Sequence, residues 1–255
     1  MTEILSEFGP VFLMLAVVIT LLAGFVKGAV GFAMPMIMIS GLSSFLPVET
    51  ALAVLILPTV FANGAQALRQ GGRAAWISVR QFRLFLVVGG VFLVSSAQLV
   101  PVLPATVLFI VIGAPVTLFA LAQLLGWRLR LDPRHRNRTE ALVAAVAGGI
   151  GGMSGVWGPP TVAYLTALDT PKSDHVRAQG VIYGLGSVAL LGAHLRTGIV
   201  SAQTLPLSAV MLVPAAIGLW VGFRVHDQLD QARFRRATLV VLVIAGLNLL
   251  RRGLF

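Results

Sequence analysis

Long apolar runs fill most of this sequence, and only short polar breaks separate them. Several runs have ~20 residues, which is the length that a helix needs to cross the hydrocarbon core of a bilayer. Only 11% of the residues are charged, whereas a soluble domain has about 25%. The sequence therefore predicts an all-α membrane protein, a polytopic bundle of about eight transmembrane segments. The runs lie near residues 10–40, 48–68, 82–100, 104–125, 139–168, 176–195, 204–224 and 236–250.

Positive charge is concentrated between these runs. The formal net charge is +10, and of the 19 basic residues only Lys27 and Lys172 are lysines. Short arginine-rich loops are typical of the cytoplasmic side of a membrane protein. With eight spans and the N-terminus inside, the loops at 69–83 and 127–138 would be cytoplasmic. The segment with Arg233 and Arg235 would then face outside, which conflicts with the cytoplasmic preference of arginine-rich loops.

Several classes of site are disfavoured by the composition. The chain has no cysteine, which excludes disulfides, thiolate metal sites and cysteine nucleophiles. No spacing of histidines and carboxylates indicates a metal, and no glycine-rich loop precedes a Lys-Ser/Thr pair that would bind a nucleotide. The first ten residues carry Glu3 and Glu7 and no basic residue, so we expect a retained span and not a signal peptide. We expect no cofactor and no nucleic-acid partner.

The first and fifth apolar runs contain similar glycine- and proline-rich stretches. Ala23–Pro35 and Ala147–Pro160 align at an offset of 124 residues, and further identities follow along the chain. The alignment predicts two homologous four-helix repeats, 1–126 and 139–255, joined by an arginine-rich loop at 127–138. The aligned pairs are Ala23/Ala147, Gly24/Gly148, Gly28/Gly152, Gly31/Gly155, Pro35/Pro159 and Pro47/Pro171.

These stretches predict Gly/Pro-broken first and fifth helices. Glycine and proline weaken helices, and unwound backbone in a membrane survives only where protein or a water-filled cavity covers it. Secondary transporters form midplane substrate sites from such breaks, where the N-terminus of a half-helix attracts anions. Close packing of Gly-x-x-x-Gly helices is the alternative reading of the glycines. Residues 10–46 could form either one long kinked span or a re-entrant hairpin.

Lys27 lies inside the first glycine-rich stretch. A buried lysine in a membrane is expensive and marks a candidate functional site. We expect it to act as a counter-charge for an anion, beside a half-helix that begins near Gly31. Snorkelling to the interface and pairing with Glu49 are the alternatives.

Other polar residues near the two breaks complete the candidate site. Asn63 and Gln66 are three residues apart and should share a helix face, either to bind substrate or to join helices. Gln179 and Tyr183 are four apart and should also face one way. Histidines are expected to have no special role. The predicted substrate-binding residues are Lys27, Gly28, Gly31, Asn63, Gln66, Ser154, Gly155, Trp157, Gly158, Pro159 and Tyr183.

The motifs at the two breaks resemble the signatures of the TauE/SafE sulfite exporter family. They read G-x-x-K-G-x-x-G-F-x-x-P from Gly24 to Pro35 and S-G-x-x-G-P-P from Ser154 to Pro160. The resemblance runs from about residue 10 to 250 and implies an inner-membrane transporter of sulfite, sulfonates or other small organic anions. Gly151 stands where a second lysine would match Lys27, so two equivalent charged sites are not implied.

The sequence as a whole is best interpreted as a secondary transporter, taken as an exporter, of a small anion such as sulfite or an organosulfonate. Alternating access around a midplane site would be its mechanism. The expected partners are the anion, the lipid bilayer and, as an open alternative, a second copy in a homodimer. An anion channel or a transporter of an unrelated small solute is the main alternative. A membrane-embedded lipid-modifying enzyme is the least favoured, since the neighbouring pair His226-Asp227 lies in a loop without other support.

Overall fold

A computed structural model describes residues 2–97, 105–127, 136–154, 157–196 and 198–254. Within these ranges the chain forms helices and no strand, which confirms the all-α prediction. The helices are α1 (Thr2–Val30), α2 (Met34–Leu42), α3 (Val48–Leu68), α4 (Gly72–Gln81), α5 (Arg83–Ala97), α6 (Ala105–Leu124), α7 (Arg136–Ser154), α8 (Gly158–Ala167), α9 (Lys172–Arg196), α10 (Leu205–Val210), α11 (Leu212–Gln228) and α12 (Gln231–Leu254).

Among the described residues, five helical stretches are long and apolar enough to cross a membrane. Helices α4 and α5 are bent by 74° relative to one another and add a sixth span if they are counted together. The membrane prediction is confirmed, and the count of eight spans stays a prediction. The five stretches are Pro10–Val30, Thr50–Leu68, Lys172–Arg196, Leu205–Gln228 and Gln231–Leu254.

The helices group into two compact units. Unit 1 comprises Met1–Gln66 and Ser187–Gln228, and unit 2 comprises Ala67–Gly186 and Leu229–Phe255. Packing units and homologous repeats are different properties of a chain. The predicted repeats at 1–126 and 139–255 therefore stay a prediction.

Close contact between α1 and α11 organises unit 1. A Cβ built on Gly28 would lie 2.8 Å from the Cα of Gly222, so only glycine permits this approach of the two backbones. Gly24 faces the backbone of Ala215 in the same way. The Gly-x-x-x-Gly reading of Gly24 and Gly28 is thus correct, since both glycines serve helix packing. The same interface contributes to a core that includes Ala23, Met34, Met38, Leu42, Val54, Ala62, Met211, Ala215 and Leu219.

Helices α1 and α2 form an antiparallel hairpin. The rings of Phe12 and Phe45 lie 5.6 Å apart, although 33 residues separate them along the chain. Closer to the turn, Gly41 packs against the side chain of Ile19. Helix α2 therefore runs back along α1. Residues 10–46 form a re-entrant hairpin and not one long kinked span.

Unit 2 contains a second glycine-mediated pair, α5 with α7. Gly148 of α7 lies against the backbone of Gly89, with the Cα of Gly89 2.9 Å from the position of an added Cβ. One turn later, Gly152 lies against the backbone of Leu93 and the hydroxyl of Ser96. Gly148 and Gly152 are packing residues like their counterparts in α1.

Helix α8 also turns back beside the helix that precedes it. Tyr164 of α8 donates a hydrogen bond to Glu140, near the start of α7, at 2.9 Å. The other carboxylate oxygen of Glu140 accepts a hydrogen bond from the backbone N–H of Phe85 at 3.1 Å. These buried bonds fix α7 and α8 as a hairpin and join it to α5.

The reversal at α8 changes the expected distribution of positive charge. Arg235, near the start of α12, bonds both Asp169 just after α8 and Gln123 at the end of α6, at 2.9 and 2.6 Å. The loop at 127–138 and the segment with Arg233 and Arg235 therefore begin at the same end of unit 2. The expectation that they face opposite sides is wrong, because α8 returns along α7 instead of continuing across.

Alanine substitution at neighbouring glycines tests the α5–α7 contact. We expect Gly148→Ala to destabilise the protein by about 1–3 kcal/mol, because the added methyl meets the backbone of Gly89. Gly149→Ala is the matched control, since nothing lies within 4 Å of its added Cβ and alanine favours the helix. The midpoint of thermal unfolding in detergent measures both variants. Equal midpoints for the two variants would contradict the close contact.

Candidate functional site

The first break follows the end of α1. Gly31 and Ala33 both have positive φ angles, 93° and 72°. Glycine adopts this conformation freely, whereas alanine is strained in it. Helix α2 begins at Met34 with Pro35 in its first turn. The half-helix therefore begins three residues later than the sequence predicted.

Lys27 lies in the last turn of α1 and is only 1% exposed. Its Nζ donates a hydrogen bond to the carbonyl oxygen of Gly31 at 3.2 Å. The sequence placed Lys27 beside a half-helix that begins near Gly31, whereas the structure places it in the last turn of α1, before the break that precedes Met34. The ammonium instead lies at the C-terminal end of α1, where the helix dipole stabilises positive charge.

Gln66 and Lys27 donate hydrogen bonds to the same acceptor atom. The Nε2 of Gln66 donates to the carbonyl oxygen of Gly31 at 3.1 Å, so an amide and an ammonium share one acceptor at the break. One turn earlier on α3, Asn63 donates from Nδ2 to the hydroxyl of Ser187 at 3.2 Å. Both side chains are buried. They join helices within unit 1, and binding of substrate by either remains a prediction.

The second break lies between α7 and α8. Helix α7 ends at Ser154 and α8 begins at Gly158. The side chain of Ser154 and all of Gly155 lie outside the described residues. Trp157 is 7% exposed and packs against Gly151 and Gly186, where a larger side chain would meet its ring.

Trp157, Gly158 and Tyr183 come together in unit 2. The Tyr183 hydroxyl donates to the carbonyl oxygen of Gly158 at 3.1 Å, and the rings of Tyr183 and Trp157 are 6.4 Å apart. Thr161 donates to the carbonyl oxygen of Trp157 at 3.0 Å. Pro159 is buried in the first turn of α8. Trp157 and Gly158 of the second break are thus neighbours of α9.

Prolines limit how the two half-helices could hold an anion. Proline has no N–H, and Pro159 and Pro160 follow each other at the start of α8. Pro35 removes one donor from the first turn of α2. The dipole of each helix remains, so these ends attract negative charge with fewer direct hydrogen bonds than an ordinary N-terminus offers.

Gln179 is a candidate that the sequence did not place among the site residues. It is fully buried on α9, one turn before Tyr183, and neither its Nε2 nor its Oε1 has a hydrogen-bond partner among the described residues. Such groups are rare in proteins and point to a polar ligand or a bound water. The only sequence signal was its spacing of four from Tyr183.

Comparison with known proteins identifies the family. The family model described as "Sulfite exporter TauE/SafE" matches residues 16–249. The chain belongs to the TauE/SafE family. The predicted resemblance to this family is thereby confirmed. Both breaks of this TauE/SafE protein lie within the matched range. The family consists of membrane transporters. No curated protein and no solved structure matches the chain.

The buried amide of Gln179 makes a prediction for stability. We expect Gln179→Leu in this TauE/SafE protein to raise the thermal midpoint or leave it unchanged, because leucine fills similar space without buried polar atoms that lack partners. Thr59→Val is a control of the same kind, since the Thr59 hydroxyl is also buried without a described partner. Thermal unfolding in detergent checks both. A clear fall in the midpoint for Gln179→Leu alone would show that the amide is satisfied within the protein.

Proposed function

We propose that this protein is a secondary transporter, acting as an exporter, of a small anion such as sulfite or an organosulfonate across the inner membrane. Membership of a transporter family supports the general activity. The anion preference is supported by the positive charge that Lys27 brings to the first break. Buried acidic residues would favour a cation, and the only buried carboxylate among those described, Glu140, accepts hydrogen bonds from Tyr164 and Phe85.

Lys27 is the observation that carries the proposal. A buried lysine in a membrane-spanning helix is energetically costly, and intramembrane charges are typical of substrate pathways. The ammonium is fixed on the carbonyl oxygen of Gly31, at a point where the helix is interrupted. An anion that approaches the break would meet this charge together with the N-terminal dipole of α2. The same features would repel a cation.

The remaining polar groups near each break would orient a substrate bound at that break. Within unit 1, the amides of Asn63 and Gln66 lie one turn apart on α3 and could donate hydrogen bonds to substrate oxygens. Within unit 2, the amide of Gln179 would do the same, and Trp157 and Tyr183 would form an aromatic wall beside Gly158. Ser154, Gly155 and Pro159 complete the proposed second break. Alternating access would expose these groups first to one side of the membrane and then to the other.

We retain about eight membrane segments, with each of the two hairpins counted as one segment, and two homologous repeats as part of the proposal. Both aligned segments form a hairpin after a glycine-packed helix, α1–α2 in one case and α7–α8 in the other. The similarity supports an internal repeat, which is the arrangement that transporters with broken helices share. The homodimer is retained as a prediction.

Removal of the lysine tests the transport proposal directly. In liposomes that contain the purified protein, we expect Lys27→Met to lower sulfite transport at least tenfold, because methionine keeps the volume of the stem and removes the charge. Lys172→Met is the matched control, since Lys172 is the only other lysine in the sequence. Its ammonium binds the carbonyl oxygen of Leu229, in the short connection between α11 and α12. Its transport should stay near that of the wild type.

Three results would count against the proposal. If the wild type moves none of a panel of sulfite, sulfonates and carboxylates, the anion assignment fails. If Lys27→Met transports as well as the wild type, the lysine is structural. If both lysine variants lose transport equally while their thermal midpoints stay at the wild-type value, the effect is not specific to the break.

A further inference from the structure

Helix α4 carries an unusual surface for a protein of this kind. It lies between α3 and α5 and is bent by 74° from α5. The segment from residue 69 to 83 contains no acidic residue and four arginines, all of which are exposed: Arg69, Arg73, Arg80 and Arg83. The charge is therefore confined to one short helix and its two ends.

Basic and apolar residues share the outward face of α4. Arg73, Trp76, Ile77 and Arg80 have the spacing i, i+3, i+4, i+7, which places them along one stripe of a helix. Trp76 is 56% exposed and Ile77 is 53% exposed. The guanidinium of Arg80 lies over the ring of Trp76, 5.5 Å from its centroid. A water-facing helix would not expose these two large apolar side chains between arginines.

The opposite face of α4 is fixed to the protein. Ala75 and Ser78 are buried, and the Ser78 hydroxyl accepts a hydrogen bond from Arg177 of α9 at 2.8 Å. The same guanidinium donates to Gln70, just before α4. Because these contacts anchor the inner face, the stripe of Arg73, Trp76, Ile77 and Arg80 is held facing outwards.

The stripe has the chemistry of the membrane interface. Tryptophan is enriched at the level of the lipid headgroups, with its ring partly in the apolar region. Arginine binds phosphate through paired N–H donors. If α5 crosses the bilayer, a helix bent by 74° from it lies close to the membrane plane, where basic and aromatic residues bind anionic lipid. Arginine-rich segments at the cytoplasmic face meet the leaflet that holds most anionic lipid.

We propose that α4 is an in-plane helix whose outward stripe binds the phosphate of an anionic phospholipid. Arg73 and Arg80 contact the phosphate from positions two turns apart, while Trp76 and Ile77 enter the region of the upper acyl chains. The inference does not depend on the transported substrate. It assigns a specific lipid site to the end of unit 2 where Arg177 joins α4 to α9.

Lipid titration of the full-length protein tests this site. Short-chain phosphatidylglycerol is added to the detergent-purified protein, and the rise of the thermal midpoint gives an apparent affinity, with phosphatidylcholine as the neutral comparison. We expect Arg73→Gln and Arg80→Gln each to lower the apparent affinity for phosphatidylglycerol about fivefold, and the double variant to lower it further. Arg233→Gln is the matched control, because it removes an exposed arginine already paired with Asp230 at 3.4 Å. Its lipid affinity should not change.

The other outcomes overturn the proposal. Equal stabilisation by the two lipids shows that no anionic headgroup is recognised. Equal stabilisation by inorganic phosphate shows an ion site and not a lipid site. An unchanged lipid affinity in the double variant, or an equal loss in Arg233→Gln, places the binding elsewhere. Since each affinity is measured against the same variant without lipid, a lower starting stability does not imitate the expected result.

Discussion

Glycine-mediated contact between helix backbones is the interaction on which both helix breaks depend. Unpaired backbone groups cannot face lipid, so a break needs neighbouring protein to cover it. Gly28 lets α1 approach Gly222 of α11, and Gly148 lets α7 approach Gly89 of α5. Each tight pair lies within the last two turns of the helix that precedes a break. Gly28 and Gly148 therefore do not interrupt their own helices. They let a neighbouring helix approach close to the place where α1 or α7 ends.

Reversal of the chain after each break could not be predicted from the sequence. The glycines and prolines showed that the first and fifth segments are interrupted, and the structure has breaks at both places. The direction after a break is set by contacts between distant residues, Phe12 with Phe45 and Tyr164 with Glu140. No local pattern reports such pairs. The reversal at α8 explains why Arg235 lies beside Gln123 at the end of α6, although the segments that follow α6 and precede α12 were expected on opposite sides.

The candidate site was predicted in part. The shared face of Asn63 and Gln66 follows from their spacing, and both are buried there. Lys27 was expected beside the N-terminus of a half-helix that begins near Gly31. Helix α1 instead continues to Val30 and α2 begins only at Met34, so the lysine lies at the negative C-terminal end of α1. Gln179 could not be singled out, since a lack of hydrogen-bond partners is visible only in three dimensions.

The central claim is that the charge of Lys27 selects a small anion at the first break. Calorimetric titration of sulfite into the detergent-purified protein tests it without requiring transport or a membrane. The account predicts a saturable binding signal for the wild type that weakens at least tenfold in Lys27→Met, while the neutral analogue dimethyl sulfone does not bind. Equal sulfite affinity in the two proteins, or equal binding of the neutral analogue, would contradict the account.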